Sequence, residues 1–214
     1  MKMLFLSRIA RALIAISIGV GGVAHAAEFT GTGLGPIPDG ALGCIASGTP
    51  LTVSFPVSGI AAAISSIGVQ MQFSPLHTFV GDLHAVLAAP GGSPNMTIFG
   101  NTGSSLGFPG GTDSNAAGPY LFSDAQTGDW WAAAIATPNA SAIPAGGYRT
   151  TGDNSSLTTS MNFIFAGMTP AQTNGMWTLT FTDDCGADTG SVSEATLFIN
   201  DAAMPVRLET FQVD

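Results

Sequence analysis

Apolar and polar residues alternate along most of this chain in short runs rather than in long helical stripes. The clearest run, WTLTFT, puts Trp177, Leu179 and Phe181 on one face and three threonines on the other, as in a half-buried strand. Similar runs bounded by Gly, Pro, Asn or Asp predict strands at 51–57, 67–73, 83–88, 96–99, 120–122, 161–165, 177–183 and 191–199. Residues 129–137, DWWAAAIAT, fit either a helical turn or a further strand.

Eight or nine short strands at this spacing predict an all-β fold, a jelly-roll-like sandwich of antiparallel strands. The sandwich is predicted to span residues 51–200. A Gly- and Pro-rich lead-in at 27–50 is expected to be extended, with little regular structure, and residues 201–214 to form an extended tail. Two turn-rich stretches, 100–119 and 138–160, are predicted to be long loops.

The first 26 residues have the features of a secretory signal peptide. Lys2, Arg8 and Arg11 precede an apolar run at 12–24, and the tripeptide AHA at 24–26 offers a cleavage site. The protein is therefore predicted to be secreted or periplasmic. Later apolar runs are too short to span a bilayer as helices, so the mature chain is not expected to be an integral membrane protein.

The charge of the chain changes once the predicted signal is set aside. The whole sequence has five Lys and Arg against 14 Asp and Glu, and only Arg149 and Arg207 follow the signal. Such an acidic surface argues against binding to nucleic acid or anionic membranes. Most aspartates lie in Gly-rich turns, where they cap backbone N–H groups or, when clustered, bind Ca²⁺.

The sequence contains two cysteines, Cys44 and Cys185. In an exported protein such a pair predicts one disulfide. Two buried free thiols are the alternative.

Three segments match, in order and spacing, the motifs of a known family. They are HTFVGDL at 77–83 followed by LAAPGG, LFSDA at 121–125, and NGMWTLTFTDDCGADTG at 174–190. The chain thereby resembles the P domain, also called P/Homo B, which accompanies the catalytic domain of kexin- and furin-like proprotein convertases and of bacterial subtilisin-like serine endopeptidases. The positions that carry the resemblance are His77, Thr78, Gly81, Asp82, Leu83, Trp177, Asp188 and Gly190.

The resemblance implies a jelly-roll-like module without a catalytic centre, which stabilises or binds a partner, often with Ca²⁺. A subtilisin-like protease or a cell-surface ligand is the partner it suggests. This chain departs from the family pattern at two places: Asp184-Cys185 replaces a small Asn-Ala pair, and His84 replaces an apolar residue.

A calcium site is predicted from the carboxylates of the third motif. Asp183 and Asp188 share one short loop, and like charges so close repel each other unless a cation or hydrogen-bond donors intervene. We expect Asp82, Asp183 and Asp188 to bind Ca²⁺, with Asp113 or Asp124 contributed by the long loop. Asx-turns and backbone caps are the alternative.

Other chemistries are less well supported by the sequence. His77, Asp82 and His84 suggest zinc, but a turn separates His77 from the other two, and the simpler role of His77 is to begin a strand and bond locally. Subtilisin-type Ser and His segments do not occur, so the chain is not expected to be an enzyme. A hydrolase with an unrecognised centre at these three residues is kept as a second alternative.

The adjacent Trp130 and Trp131 suggest a different alternative function. In a strand they point to opposite faces, so only one of them belongs to the core. An exposed tryptophan would suit a Ca²⁺-dependent carbohydrate- or surface-binding module, unless the long loops cover both rings.

Overall fold

A computed structural model describes residues 27–104 and 110–200, so the predicted signal peptide and the tail lie outside the described residues. The described chain forms the following strands: β1 (Ala27–Thr30), β2 (Gly35–Pro36), β3 (Leu51–Val57), β4 (Ile67–Phe73), β5 (Leu83–Ala88), β6 (Asn95–Gly100), β7 (Tyr120–Ser123), β8 (Gly128–Asp129), β9 (Gly146–Arg149), β10 (Gly175–Asp183) and β11 (Ser191–Ile199). Three short helices are α1 (Trp130–Ala136), α2 (Met161–Phe165) and α3 (Pro170–Thr173). None of the helices in this part of the chain is long and apolar enough to cross a membrane.

The strands form two sheets. The larger has the order β1-β11-β4-β7-β9-β8, with β2 also paired to β11, and the smaller has the order β3-β10-β5-β6. Aromatic rings join the two sheets: Phe73 contacts Phe181 at 5.7 Å between ring centroids, and Phe99 contacts Phe122 at 5.6 Å. The prediction of a β-rich fold is confirmed.

Hydrophobic alternation located most strands correctly. The strands predicted at 51–57, 67–73, 83–88 and 191–199 have those bounds, and three others differ by one or two residues at an end. Trp177, Leu179 and Phe181 are fully buried, whereas the intervening threonines are partly exposed. One face of β10 therefore belongs to the core, as the period of two indicated.

The prediction of a strand at 161–165 is wrong, because these residues form α2. Ser160 caps the helix by accepting a hydrogen bond from the Phe163 N–H. The Asp124 carboxylate accepts two more, from the N–H groups of Met161 and Asn162. The residue before the helix and an aspartate 37 positions before Met161 thus supply the partners that a free helix start requires, and the MNFIF run itself does not contain this information.

The all-antiparallel prediction is also wrong in part. β9 pairs in parallel with both β7 and β8, and β9 lies within a stretch that was predicted to be a loop. The lead-in contributes β1 and β2, which both pair with β11, so it has more regular structure than expected. Residues 129–137 take the helical alternative as α1, with the Asp129 carboxylate accepting from the Ala132 N–H.

Candidate functional site

Three buried polar residues meet at one end of the smaller sheet: His77, Asp82 and Asp183, hereafter the buried trio. His77 follows β4 and pairs with Ala116 through two backbone hydrogen bonds of 2.8 Å. Asp82 ends a 3-10 turn immediately before β5, and Asp183 ends β10. Because β5 and β10 pair with Asp183 opposite Leu83, the two aspartates are brought to the same level of the sheet.

The trio is closely packed and sealed from solvent. One ligand atom of each residue lies within 4.8 Å of the others, and the Nε2 atom of His77 is 3.2 Å from the Oδ2 atom of Asp183. The exposed fractions are 0% for His77, 1% for Asp82 and 0% for Asp183. The other carboxylate oxygen of Asp183 accepts a hydrogen bond from the Cys185 N–H. Asp82 Oδ1 and His77 Nδ1 are buried and have no hydrogen-bond partner among the described residues.

Burial and neighbouring negative charge alter the acidity of Asp82. Loss of solvation is the largest cause, followed by the charges of Asp183, Asp188 and Asp184, and together they raise the pKa of Asp82 from 3.8 to about 8. A carboxylate in this position is therefore costly unless a proton or a cation compensates its charge.

Glycines allow the backbones around the trio to approach closely. A Cβ atom on Gly190 would lie 2.5 Å from the His77 Cα atom, and one on Gly81 would lie 2.6 Å from the Gly111 backbone nitrogen. Two glycines of the family motifs are thus required for packing next to the trio.

Cys44 and Cys185 form a disulfide, as predicted. The bridge ties the lead-in to the end of β10, where the Gly48 N–H donates to the Asp183 carbonyl oxygen at 2.7 Å and the Gly40 N–H donates to the Cys185 carbonyl oxygen at 3.0 Å. The segment expected to be a simple lead-in is therefore fixed to the backbone next to the buried trio.

Asp188 lies outside the trio. Its Oδ1 atom accepts a hydrogen bond of 2.9 Å from the Thr78 hydroxyl, which in turn accepts one from the Thr189 N–H. Asp188 is half-buried and acts on Asp82 through its charge. Asp188 and Thr78 thus link two of the motif segments directly.

A second, half-exposed group surrounds His84. The His84 Nε2 atom lies 2.8 Å from Asp184 Oδ2 and 3.5 Å from Asp153 Oδ1. The Ser47 hydroxyl donates to Asp184 Oδ1 at 2.6 Å. Since the Ser47 hydroxyl bonds to the Asp184 carboxylate and not to the His84 imidazole, this arrangement does not provide the nucleophile–base pair that a serine hydrolase uses.

The remaining predicted site residues lie elsewhere. The Asp124 carboxylate is used at the start of α2, and Asp113 lies apart from the trio, with its carbonyl accepting from the Ala140 N–H. Trp130 is fully buried, and its Nε1–H donates to the Thr102 hydroxyl. Trp131 is partly exposed, so one of the two rings is in the core as expected, although both lie in a helix and not in a strand.

Sequence reasoning missed His77 as the partner of Asp183. His77 was expected to begin a strand and bond locally, but its imidazole contacts a residue 106 positions away. His77 and Asp82 lie within one motif, and both were weighed with His84 as zinc ligands. The missing information was the pairing of β5 with β10, which brings Asp183 to them and leaves His84 outside.

Two open cavities lie away from the trio. One of about 570 Å³ is lined by Arg149 and by hydroxyl side chains that include Thr159 and Ser160. Another of about 400 Å³ lies beside the exposed ring of Phe163. The trio lines neither cavity.

Comparisons of the chain with protein-family models, with curated proteins and with solved structures found no match. The P-domain resemblance therefore rests on the three sequence motifs and stays a prediction.

Proposed function

We propose that this chain is an exported, non-catalytic β module of the P-domain kind, which binds or stabilises a partner protein such as a subtilisin-like protease. The observation that carries the proposal is the convergence of two family motifs on one buried polar centre. Residues 77–83 supply His77 and Asp82, residues 174–190 supply Asp183, and Gly190 packs against the backbone of His77. Motifs far apart in sequence thus serve one structural purpose.

The burial of that centre favours a structural role over a catalytic one. A catalytic acid or base has to reach the atoms of a substrate, whereas all three residues of the trio are buried away from solvent. The strand order supports a jelly-roll-like sandwich, because the chain crosses repeatedly between the sheets: β3 and β5 lie in the smaller sheet and β4 in the larger, and β10 lies in the smaller and β11 in the larger.

The calcium that the resemblance implies fits the described residues poorly. Ca²⁺ takes six to eight oxygen ligands. The trio offers one imidazole nitrogen and two carboxylates, one oxygen of Asp188 is already bound to Thr78, and Asp124 is used in helix capping. We derive no calcium-dependent step from this geometry.

A stabilisation assay tests the proposed function. The purified chain is mixed in equimolar amount with a subtilisin-like catalytic domain, and the unfolding temperature and half-life of the protease are measured. We expect both to increase, and the chain alone to release no product from peptide substrates. An unrelated disulfide-bonded β protein is the control. Peptidase activity of the chain alone that disappears in His84→Ala would instead support the hydrolase alternative.

The carbohydrate-binding alternative depends on Trp131, because Trp130 is inaccessible to a ligand. A glycan array probed with the wild-type chain and with Trp131→Ala tests it. Binding that is lost in this variant would favour surface attachment over protease support.

A further inference from the structure

We infer that the buried trio is a structural binding site for a transition-metal ion of the Zn²⁺ class, held by His77, Asp82 and Asp183. This inference goes beyond the proposed function and holds whichever partner the module binds. It replaces the predicted ligand set of aspartates alone with a mixed set of nitrogen and oxygen donors.

Geometry is the first support. Each residue offers one ligand atom, and these atoms lie within 4.8 Å of one another, with 3.2 Å between the His77 and Asp183 atoms. The 3.2 Å between the His77 and Asp183 atoms is roughly the separation of two atoms that are bound to one metal at about 2.0–2.2 Å in a tetrahedral shell. His77 and Asp82 lie in one segment and Asp183 lies 106 positions from His77, so bringing all three together is a property of the fold and not of a local turn.

The unpartnered oxygen of Asp82 is the second, independent support. Asp82 Oδ1 lies in a side chain that is 1% exposed, and it has no hydrogen-bond partner within residues 27–104 and 110–200. A buried polar atom without a partner destabilises the folded state, and more so when it is charged. A cation bound by the trio would give the Asp82 carboxylate a partner and reduce this cost.

The charge balance also favours a cation. Two buried carboxylates face a single imidazole, and Asp184 and Asp188 add negative charge nearby. Arg149 is the only Lys or Arg in the part of the chain that the structure describes, and it lines a separate cavity. No basic side chain there is thus placed to neutralise the trio.

The donor set selects the class of metal. Imidazole together with carboxylate suits Zn²⁺ and related ions, whereas Ca²⁺ and Mg²⁺ prefer oxygen ligands throughout. Three protein donors leave one position of a four-coordinate shell to a small oxygen ligand. Complete burial makes the site a structural one that joins β10 to the turn before β5 and to the His77 segment.

Metal binding to the full mature chain with its disulfide intact tests the inference. The protein is stripped with a chelator, and Zn²⁺, Ca²⁺ and Mg²⁺ are added separately in calorimetric and thermal-unfolding titrations. We expect one Zn²⁺ per chain and a higher unfolding temperature with Zn²⁺, but neither effect with Ca²⁺. Co²⁺ in place of Zn²⁺ should give the intense visible absorption of a four-coordinate site that contains nitrogen.

Variants assign the binding to the trio. Asp82→Asn and His77→Gln should weaken Zn²⁺ binding by about 100-fold or more, the upper range for disturbing a metal's surroundings. Asp82→Asn is nearly isosteric and places a side chain that cannot ionise at a buried position, so it should fold even if His77→Gln does not. His84→Gln is the matched control, because His84 also contacts two carboxylates but lies outside the trio.

Three results would overturn the inference: no Zn²⁺ binding to the stripped wild type, undiminished binding in folded Asp82→Asn, or loss of binding in His84→Gln alone. Stabilisation by Ca²⁺ without Zn²⁺ would do the same and would restore the calcium prediction. Each of these outcomes leaves the protease-stabilisation assay unaffected, so failure of the metal site is distinguishable from failure of the proposed function.

Discussion

Replacing Asp82 with asparagine should change how the stability of the metal-free protein depends on pH. Its pKa is about 8 in the folded protein against 3.8 for an ordinary aspartate, because burial and the charges of Asp183, Asp188 and Asp184 disfavour the carboxylate. Between these two values the folded state holds a proton that the unfolded state has released. The contribution of Asp82 to stability is therefore complete below about pH 4 and is lost as pH rises towards 8.

The loss amounts to about 1.4 kcal/mol per pH unit, or about 3 kcal/mol between pH 5 and pH 7. Asparagine does not ionise, so Asp82→Asn should lack this component of the pH dependence. Groups remote from Asp82 contribute equally in both proteins and cancel in the difference between them.

Urea denaturation of chelator-treated protein at pH 5, 6 and 7, followed by tryptophan fluorescence, measures the effect. The free energy of unfolding of the wild type should fall relative to Asp82→Asn as pH rises. Asp113→Asn serves as the control, since it removes a carboxylate outside the trio and should keep the wild-type dependence. Parallel pH profiles for the wild type and Asp82→Asn would refute the reasoning.

Three further substitutions test other features of the fold. Replacing Cys44 and Cys185 with alanine should lower the free energy of unfolding by about 2–5 kcal/mol, because the bridge closes a loop with a sequence separation of 141; an unchanged urea midpoint would contradict this. Asp124→Ala should cost about 1–2 kcal/mol by removing the acceptor at the start of α2, and a loss no larger than that of a surface substitution would show that the carboxylate is dispensable. Gly190→Ala should cost about 1–3 kcal/mol, because the new methyl group would meet the His77 backbone; thermal unfolding at wild-type temperature would show that the contact relaxes freely.

Strands with one buried face could be predicted from the sequence, because burial gives them an alternating apolar and polar pattern. β10 alternates because one face packs against the other sheet, and its Trp177, Leu179 and Phe181 were assigned correctly. The MNFIF run at 161–165 carried no such information, since an apolar run of five residues suits a strand or a helix equally. Its conformation is set by Ser160 and Asp124, and the latter lies 37 positions from the N–H of Met161 that it binds.

The candidate site was predicted only in part for a similar reason. Local charge density in the third motif singled out Asp183, the first motif contained Asp82, and both belong to the buried trio. Which residues meet depends on the register between β5 and β10, which brings Asp183 level with Asp82, and on the position of His77; Asp188 instead binds Thr78. Spacing in the sequence shows which residues are near one another along the chain, whereas the residues of this site come from distant parts of the chain.

The pairing of β1 with β11 brings the two ends of the described domain together. Ala27 lies opposite Ile199 on neighbouring strands, so the chain enters and leaves the domain at one corner of the larger sheet. A segment attached before residue 27 and another attached after residue 200 would therefore start side by side. The same geometry makes the domain suited to circular permutation: a short linker could join these ends, and new termini could be opened in the exposed stretch that contains Ser156 and Leu157, far along the chain from the old ones.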